Sequence, residues 1–477
     1  MSKTSILFCA SEVYPFAKTG GLADVAHALP RALSKEYDIQ VVLPLYSSIN
    51  TQKYSIKERS SFCLTLGSME YAVEFLATEF EGIEYIFVAS DPLTHKECLY
   101  GTPTEGYSDN ALRFSIFNHA VVELLKRDSY SIVHCNDWQS ALVPLLIKEE
   151  PEIKSKTLFT IHNLAYQGIF SYEDYKFLGL DEKYFSMEAL EFYGQINFLK
   201  AGIAFADKIT TVSPNYAKEI LTAEFGCGLE GFLKHHSQKL SGILNGLDLE
   251  HFSPATDTLI KKTYTNLTEK KENKKAYLQE SGLGGFNKPL FAFIGRLTEQ
   301  KGIELLCSAI EKLADFSCNI VILGDGAQKY SDAIKEIAQQ HKNIHFEYTY
   351  NEALSHRIYA SCDFLLMPSL FEPCGLNQLI SMSYGSLPIV HKVGGLKDSV
   401  SDYKQFKSSS KNSYGILFKD ASLDNFMQAI EEGLILYEKK RVYNSLVKHN
   451  MQVDFSWKKS AQKYAKIYKE LLGEPHA

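Results

Sequence analysis

The chain has 477 residues and carries 50 basic and 57 acidic side chains, which gives a formal net charge of −7. A single hydrophobic core stops growing at about 250–300 residues, so this length favours two domains of similar size, and length alone also allows three. The acidic balance argues against general nucleic-acid binding, and no apolar run approaches the roughly 18 residues that span a bilayer. The nine cysteines form no C-x-x-C pair, which indicates a reducing compartment. A strand pattern starts without a preceding signal peptide, so a cytoplasmic location is expected.

Short apolar runs of strand type alternate with helical patterns in the first half of the chain. A parallel sheet with crossover helices produces this alternation, so we predict an α/β domain over residues 1–245. Closely spaced runs between residues 62 and 88 predict a hairpin excursion at the edge of the sheet. The strand-type runs are 6–9, 39–43, 85–88, 132–135, 157–161, 209–212 and 243–244.

A second alternating series predicts another α/β domain over residues 255–455. Its strand-type runs are 290–294, 320–323, 344–346, 364–367, 388–390 and 416–418. Between the two series, Asn245-Gly246 and Ser253-Pro254 mark a turn-rich connector. The lysine-rich stretch 261–275 predicts a solvated loop or helix face. Ser456 is the predicted cap of a final helix, 456–477, whose apolar positions recur at spacings of four and three.

The stretch D-F-L-L-M-P-S-L-F-E-P-C-G-L, residues 363–376, combines a strand, a loop and a helix start. Open α/β sheets place ligands at such a loop, and helix N-termini attract hydroxyls and anions. Glu372 is the one carboxylate between Asp363 and Asp398. Taken alone, this stretch leaves two interpretations open: a ligand-binding carboxylate, or a surface acid without a role.

The pattern K-x-G-G-L-x-D occurs at residues 18–24 and again at 392–398. Paired glycines let backbone N–H groups approach an anion, and the following helix start adds its dipole. A doubly wound domain also needs a glycine turn at this point. Because both copies carry a lysine at the same offset, we favour phosphate binding over an ordinary turn.

Arg296 and Lys301 lie in G-R-L-T-E-Q-K-G, directly after a strand-type run. Two fixed cations beside a diphosphate stabilise the charge that grows on its oxygen as a bond to phosphate breaks. The usual alternative is a divalent metal held by two acids at D-x-D spacing, and no D-x-D occurs in the sequence. An Arg and a Lys at this spacing also fit a solvated helix start.

Polar side chains follow two strand-type runs of the first domain, in Asn136-Asp137-Trp138 and in His162-Asn163. The carboxyl ends of parallel strands line one rim of a sheet, and sugar hydroxyls need several donors and acceptors there. His162 could also simply cap its strand. Nine of the 28 residues from 166 to 193 are aromatic, against 12% overall; aromatic rings pack against sugars but also fill cores.

Together these motifs resemble those of the bacterial glycogen synthase and plant starch synthase family. The matching motifs are K-T-G-G-L-A-D-V at 18–25, N-D-W at 136–138, H-N at 162–163, L-N-G at 244–246, G-R-L-T-E-Q-K-G at 295–302, F-E-P-C-G-L at 371–376 and G-G-L at 394–396. The resemblance implies two facing Rossmann-like domains of the GT-B type with a deep cleft between them. It also implies that the final helix crosses back to the first domain.

The resemblance assigns roles to individual residues. It implies that Lys18, Arg296 and Lys301 hold the donor diphosphate. It places the His162 carbonyl beside the cation that develops on the transferred glucose, and Glu372 on the glucose hydroxyls. The set expected to act in catalysis is His162, Arg296, Lys301 and Glu372. The expected substrate-binding set is Lys18, Gly20, Gly21, Asp24, Asp137, Asn245, Tyr350, Cys374, Gly375, Leu376, Gly394 and Gly395, with Tyr350 beside the donor base.

Several positions depart from the commoner family pattern. Gln139 stands where His often follows N-D-W, Phe252 replaces a frequent Trp, and Val393 precedes the second glycine pair where Thr is common. Many relatives of the fold carry a second Glu eight positions after the first, but here that position is Ile380. The sequence therefore does not support a mechanism with two carboxylates.

The implied reaction transfers glucose from ADP-glucose to the non-reducing 4-hydroxyl end of an α-1,4-glucan, glycogen or a maltooligosaccharide, with retention of configuration. No cofactor, metal, nucleic acid or membrane partner is expected. A phosphorylase, a nucleotide-sugar epimerase and a non-catalytic sugar-nucleotide sensor on the same fold are the alternatives. The sequence leaves open ADP-glucose against UDP-glucose, acceptor length, regulation and oligomeric state.

Overall fold

The computed structural model describes residues 3–102, 105–349 and 351–474, and the chain divides into two compact units. The first unit runs up to Asn245 and resumes at Trp457, and the second is Gly246–Ser456. The predicted connector after Asn245 therefore belongs to the second unit. None of the described helices is long and apolar enough to cross a bilayer.

A large mixed sheet forms the centre of the first unit. Its strands are β1 Ser5–Cys9, β2 Asp38–Pro44, β3 Lys57–Leu66, β4 Met69–Phe80, β5 Ile83–Ala89, β6 Ile132–Asn136, β7 Lys156–Ile161, β11 Lys208–Thr211 and β12 Leu240–Gly242. A separate small sheet contains β8 Ile169–Phe170, β9 Glu191–Phe192 and β10 Gln195–Asn197. The order in the large sheet is β12-β11-β7-β6-β1-β2-β5-β4-β3. The pairs β3–β4 and β4–β5 are antiparallel and the other pairs parallel, so the predicted hairpin excursion at the edge is confirmed.

The helices of the first unit before the connector are α1 Gly21–Leu33, α2 Asp91–Thr94, α3 Asn110–Arg127, α4 Val143–Lys148, α5 Phe198–Phe205, α6 Tyr216–Glu219 and α7 Glu230–His235; 3-10 turns occur at Trp138–Ser140, Tyr172–Phe177, Glu182–Tyr184 and Ser237–Lys239. The predicted strand at 243–244 is wrong. The strand ends at Gly242 because its partner β11 ends there, with Thr211 opposite Gly242.

The second unit has one parallel sheet. Its strands are β13 Leu290–Ile294, β14 Asn319–Leu323, β15 Ile344–Glu347, β16 Phe364–Met367, β17 Leu387–His391, β18 Ser401–Asp402 and β19 Tyr414–Phe418, in the order β15-β14-β13-β16-β17-β19-β18. The helices are α8 Leu267–Glu280, α9 Ile303–Leu313, α10 Gln328–Gln340, α11 Glu352–Ser361, α12 Asn377–Ser383, α13 Gly394–Ser399, α14 Leu423–Glu438 and α15 Lys440–Asn450, with 3-10 turns at Glu299–Lys301 and Tyr403–Gln405.

Both sheets are doubly wound in the same way. In each, the first strand lies in the middle, the next strands add on one side, and the chain then returns to add strands on the other side. The direction reverses between β1 and β6 in the first unit and between β13 and β16 in the second. Loops at the carboxyl ends of these strands form the crevice in which open α/β sheets bind ligands.

The last helix, α16 Lys458–Leu472, completes the core of the first unit. Trp457, Tyr464 and Tyr468 are buried there together with residues of α1, and the Tyr468 hydroxyl lies 2.7 Å from His134 Nδ1. The predicted cap at Ser456 is wrong. The helix begins two residues later, with Trp457 at the cap position and no side-chain cap, because the Ser456 backbone is engaged in a bridge with Leu247.

The lysine-rich stretch runs from a loop into α8, and its lysines at 261, 262, 271 and 275 are exposed, as predicted for a solvated loop or helix face. Lys270 and Lys274 are the exceptions, because both are buried. Lys270 Nζ donates to Tyr359 O, Tyr384 O and Ser386 Oγ at 3.2, 2.7 and 2.9 Å, and Lys274 Nζ donates to Asp363 Oδ2 at 2.6 Å. Burial lowers the pKa of Lys270 to about 8. These lysines connect α8 to α11, to the end of α12 and to the residues just before β16 and β17.

Candidate active site

Lys301 and Glu372 meet at the switch point of the second unit. The loop after β13 carries Lys301 and the loop after β16 carries Glu372, and these strands are neighbours. Lys301 Nζ donates to Glu372 Oε2 at 2.6 Å, and Ser369 Oγ donates to the same oxygen at 2.9 Å. Glu372 is only 5% exposed. Because a cation and a hydroxyl both donate to its Oε2, the carboxylate is fixed in position.

Backbone contacts lock the two loops together. Leu370 N donates to Gln300 O at 2.9 Å. Gly302 has φ +67, and a Cβ there would lie 2.1 Å from Pro368 O. A side chain at Gly302 would therefore push the Glu299–Lys301 turn away from the loop that carries Glu372, so the glycine allows the ion pair to form.

Arg296 lies on the same loop as Lys301, directly after Gly295 at the end of β13. Its side chain is exposed. The following residue fixes the loop, because Leu297 N donates to Asp325 O at 2.6 Å. The structure thus places both predicted diphosphate cations at the same edge of the second sheet.

The second glycine pair packs against the Glu372 loop. Gly394 has φ +44, and a Cβ there would lie 1.9 Å from Glu372 O; a Cβ at Gly395 would lie 2.2 Å from Cys374 O. The Gly395 amide donates to Glu372 O and Pro373 O at 3.0 and 3.1 Å. We interpreted this second copy of the K-x-G-G-L-x-D pattern as an anion site. That interpretation is wrong for the Gly395 amide, because the amide donates to carbonyl oxygens of the Glu372 loop. The glycines position Glu372 instead.

The residues after Glu372 lead into a short helix. Cys374 is buried, and its carbonyl accepts a hydrogen bond from Gln378 Nε2 at 3.2 Å. Gly375 has φ +71, which favours glycine. Leu376 is the cap residue of α12. These three predicted binding residues therefore lie beside Glu372, at the carboxyl edge of β16.

In the first unit, the K-T-G-G-L segment surrounds a carboxylate of this chain. Glu12 accepts hydrogen bonds from Thr19 N and Gly20 N at 2.5 and 3.0 Å, from Thr19 Oγ1 at 2.7 Å, and from the Tyr100 hydroxyl at 2.8 Å. Lys18 Nζ lies 2.7 Å from Asp24 Oδ1. Gly20 and Gly21 stand at the start of α1. The amides of Thr19 and Gly20 therefore bind a carboxylate of the chain itself, and phosphate binding at this segment stays a prediction.

Sequence reasoning missed Glu12. It is 5% exposed and stands in an apolar stretch eight residues before Gly20. A carboxylate isolated in such a stretch is itself a signal, because burying a charge is costly unless it is hydrogen-bonded. Its partners could not be inferred from spacing alone.

Asn136, Asp137 and His162 meet at the carboxyl ends of the neighbouring strands β6 and β7. Asp137 Oδ1 accepts from His162 N at 2.7 Å, and His162 Nε2 lies 2.9 Å from Asn136 Oδ1. Asn136 Nδ2 donates to Cys9 O, which leaves its Oδ1 to accept from the imidazole. Asp137 has φ +54, a strained backbone of the kind that clusters at functional sites.

Burial shifts the pKa of both ionisable groups in this cluster toward the neutral form. It lowers the pKa of His162 to about 3, so the imidazole is neutral at physiological pH. It raises the pKa of Asp137 to about 7, against the opposing effect of the His162 and Asn163 amides. At neutral pH the cluster therefore combines an uncharged imidazole with a carboxyl group that is close to its own pKa.

Two further predicted residues and the aromatic segment complete the set. Asn245 is buried, and its Oδ1 accepts no hydrogen bond from the described residues. Tyr350 lies outside the described residues. In the segment 166–193, Tyr175 is buried, whereas Tyr166, Tyr172 and Tyr193 are among the exposed aromatics, so the segment fills a core only in part.

Comparison with known proteins defines the class first. Residues 5–235 match the family model described as the starch synthase catalytic domain, and residues 279–445 match that of glycosyl transferases group 1. A sucrose-phosphate synthase from Thermosynechococcus elongatus shares the fold, with a TM-score of 0.64 at 17% identity over 99% of this chain and all of that chain. The chain is a glycosyltransferase of the GT-B fold.

Closer relatives define the family. The chain is 42% identical to a glycogen synthase from Aquifex aeolicus over 471 residues, 98% of this chain and 99% of that protein. It is 40% identical to a glycogen synthase from Geotalea daltonii over 482 residues, with the same coverage. The catalytic domain of starch synthase IV from Arabidopsis thaliana, bound to ADP and acarbose, matches with a TM-score of 0.92 at 33% identity, over 99% of this chain and all of that one. The chain belongs to the glycogen synthase family.

Proposed function

We propose that this protein transfers glucose from ADP-glucose to the non-reducing 4-hydroxyl of an α-1,4-glucan, with retention of configuration. The observation that carries the proposal is the Glu372 carboxylate, fixed by Lys301 and Ser369 at the switch point of the second unit, with Arg296 on the same loop. The solved relative bound to ADP supports an adenine nucleotide donor, and the curated glycogen synthases support a glucan acceptor. The nine cysteines are free, which supports a cytoplasmic location.

The second unit supplies charge to the donor. Arg296 and Lys301 stabilise the negative charge that grows on the diphosphate as its bond to the glucose C1 breaks. Lys301 also holds the Glu372 carboxylate, which accepts hydrogen bonds from glucose hydroxyls. The glycines at 394–395 let the Glu372 loop sit close to α13, so the carboxylate is positioned before the donor arrives.

The first unit supplies contacts to the diphosphate and to the sugar. Lys18 contributes a further cation for the diphosphate. His162 remains neutral, so it does not compete as a charged acid, and we assign its backbone carbonyl to the cation that develops at C1. Asp137 orients that residue by accepting its amide hydrogen.

The bond from C1 to the acceptor oxygen forms on the face from which the diphosphate leaves, and the departing phosphate takes the proton of the acceptor hydroxyl. A covalent glycosyl intermediate would need a second carboxylate. Ile380, where many relatives of the fold carry one, is 4% exposed in a hydrophobic cluster. We therefore assign no protein nucleophile.

Alanine variants at Arg296 and Lys301 test these assignments. Each should fold and yet lose roughly a hundredfold or more in turnover, the scale of one lost electrostatic donor. Lys312→Ala, which removes an exposed lysine at the end of α9, is the matched control and should retain turnover. Wild-type turnover in either site variant would reject its role.

Incorporation of labelled glucose into glycogen decides both the activity and the donor. We expect incorporation from ADP-glucose to exceed that from UDP-glucose. A higher rate with UDP-glucose would reject the donor assignment, and binding of both donors without incorporation would identify a sensor rather than an enzyme.

A further inference from the structure

Three potential metal ligands converge in the second unit, on residues to which the proposed reaction assigns no role. The ligand atoms of His251, Glu352 and His356 lie within 4.8 Å of one another, and no other group of three His, Cys, Asp or Glu side chains within residues 3–102, 105–349 and 351–474 is arranged in this way. His251 and Glu352 are separated by 101 positions in the chain. The fold therefore creates the cluster.

Helix geometry places two of the ligands on one face. Glu352 and His356 are four residues apart in α11, so their side chains are neighbours. The Asn351 side chain accepts from Leu354 N at 2.9 Å and fixes this first turn. His251 comes from the start of the unit, and its Nε2 lies 3.1 Å from Glu352 Oε1.

His356 is already oriented as a metal-binding histidine would be. It is fully buried, and its Nδ1 lies 2.8 Å from Asp257 Oδ2, to which the Tyr384 hydroxyl also donates at 2.6 Å. Since a carboxylate accepts, Nδ1 donates to Asp257, so the neutral form of this imidazole carries its lone pair on Nε2. This Nε2 is buried and has no hydrogen-bond partner among the described residues.

A buried imidazole nitrogen without a partner costs free energy. The carboxylate–histidine arrangement, in which the second ring nitrogen binds a metal, is the common solution in metalloproteins. The Phe252 ring stacks on His356 with centroids 5.0 Å apart and restricts the imidazole plane. His251 and Glu352 are partly exposed, at 24% and 35%, so an ion could enter from their side.

We propose that His251, Glu352 and His356 bind one divalent transition metal ion, with zinc as the favoured ion. Two imidazoles and one carboxylate form an established zinc ligand set, with water as the fourth ligand at tetrahedral geometry. Zinc ligands lie about 2.0–2.2 Å from the ion, so Glu352 and His251 close onto it by side-chain rotation. The bound ion would tie the beginning of the second unit to α11 and stabilise that unit.

Zinc titration of the chelator-treated full chain tests the proposal. In competition with a chromophoric chelator, the wild type should bind one equivalent, and His251→Gln and Glu352→Gln should each lower the affinity at least about tenfold. Asp257→Asn should lower it about 10–100-fold, the usual effect of losing the partner of a ligating histidine.

His345→Gln is the matched control. His345 Nε2 and Glu347 Oε1 form a similar pair, 2.8 Å apart, that belongs to no three-ligand group among the residues the structure describes, so this variant should keep wild-type affinity. Zinc should also raise the Tm of the wild type but not that of Glu352→Gln.

Three outcomes would overturn the proposal. The first is the absence of zinc binding by the wild type. The second is an equal loss of affinity in His345→Gln and Glu352→Gln. The third is binding that neither His251→Gln nor Glu352→Gln weakens, which would assign the zinc to exposed thiols such as Cys63, Cys98 and Cys227.

Discussion

Gly20 and Gly394 hold the same place in two copies of one seven-residue pattern, but the contacts within the chain require glycine only at Gly394. Gly20 has an extended φ of −153, and a Cβ on it would meet no atom of the chain. Gly394 has a positive φ, and a Cβ added there would clash with the carbonyl oxygen of Glu372. The space beside Gly20 is open, and we propose that the donor approaches there, whereas at Gly394 the Glu372 loop occupies the space.

A pair of alanine variants separates these two requirements. Gly394→Ala should lower the Tm strongly or abolish soluble expression, because 1.9 Å is far inside van der Waals contact. Gly20→Ala should keep the wild-type Tm and raise the KM for the donor. Thermal unfolding and steady-state kinetics measure both effects, and equal losses of Tm in the two variants would contradict the distinction.

Asp137 gives a pH dependence whose sign can be worked out. Its folded pKa of about 7 lies above the ordinary value of about 3.9 for an unfolded chain. The stabilisation by the bound proton is complete below the unfolded pKa and is lost as the pH rises through the folded one.

Asp137→Asn removes this dependence, and asparagine also tolerates a positive φ. The Tm of the variant minus that of the wild type should therefore rise between about pH 4 and pH 7 and then level off. Thermal unfolding in a series of buffers measures it. A difference that stays constant with pH would show that Asp137 titrates normally.

At the scale of elements, the strand-type runs and the loops after them were predictable because buried parallel strands require continuous apolar residues. That rule located the loops of Arg296, Lys301, His162 and Glu372. It could not locate contacts between distant segments, such as Glu12 with the K-T-G-G-L segment or His251 with α11. It also failed for Lys270 and Lys274 of α8, which look solvated in sequence but are buried and donate to distant acceptors.

Helix α8 provides the test at this scale. Lys270→Met keeps the length of the side chain but removes three hydrogen bonds, at roughly 1–3 kcal/mol for each buried group left unsatisfied. We expect a clear fall in Tm. Lys271→Met, at the exposed neighbouring position, should leave the Tm unchanged. A wild-type Tm in Lys270→Met would show that its hydrogen bonds add no net stability.

For the whole molecule, the charges proposed to act on the donor are cations of the protein: Lys18 on one unit, Arg296 and Lys301 on the other. Turnover should therefore survive exhaustive treatment with EDTA, even though the Tm falls if the inferred zinc ion is removed. Glucose incorporation and thermal unfolding on the same treated sample separate the two effects. Loss of turnover restored by magnesium or manganese would show that the diphosphate needs a metal.

The position of α16 has a consequence for synthesis on the ribosome. The second unit is inserted into the first, whose core is completed only by Trp457 and the helix that follows. Because domains fold as they emerge, the later unit should reach its native state before the earlier one. The apolar residues of α1 that pack against α16 stay uncovered until the second unit, Gly246–Ser456, has been translated, so we expect chaperones to bind there during translation.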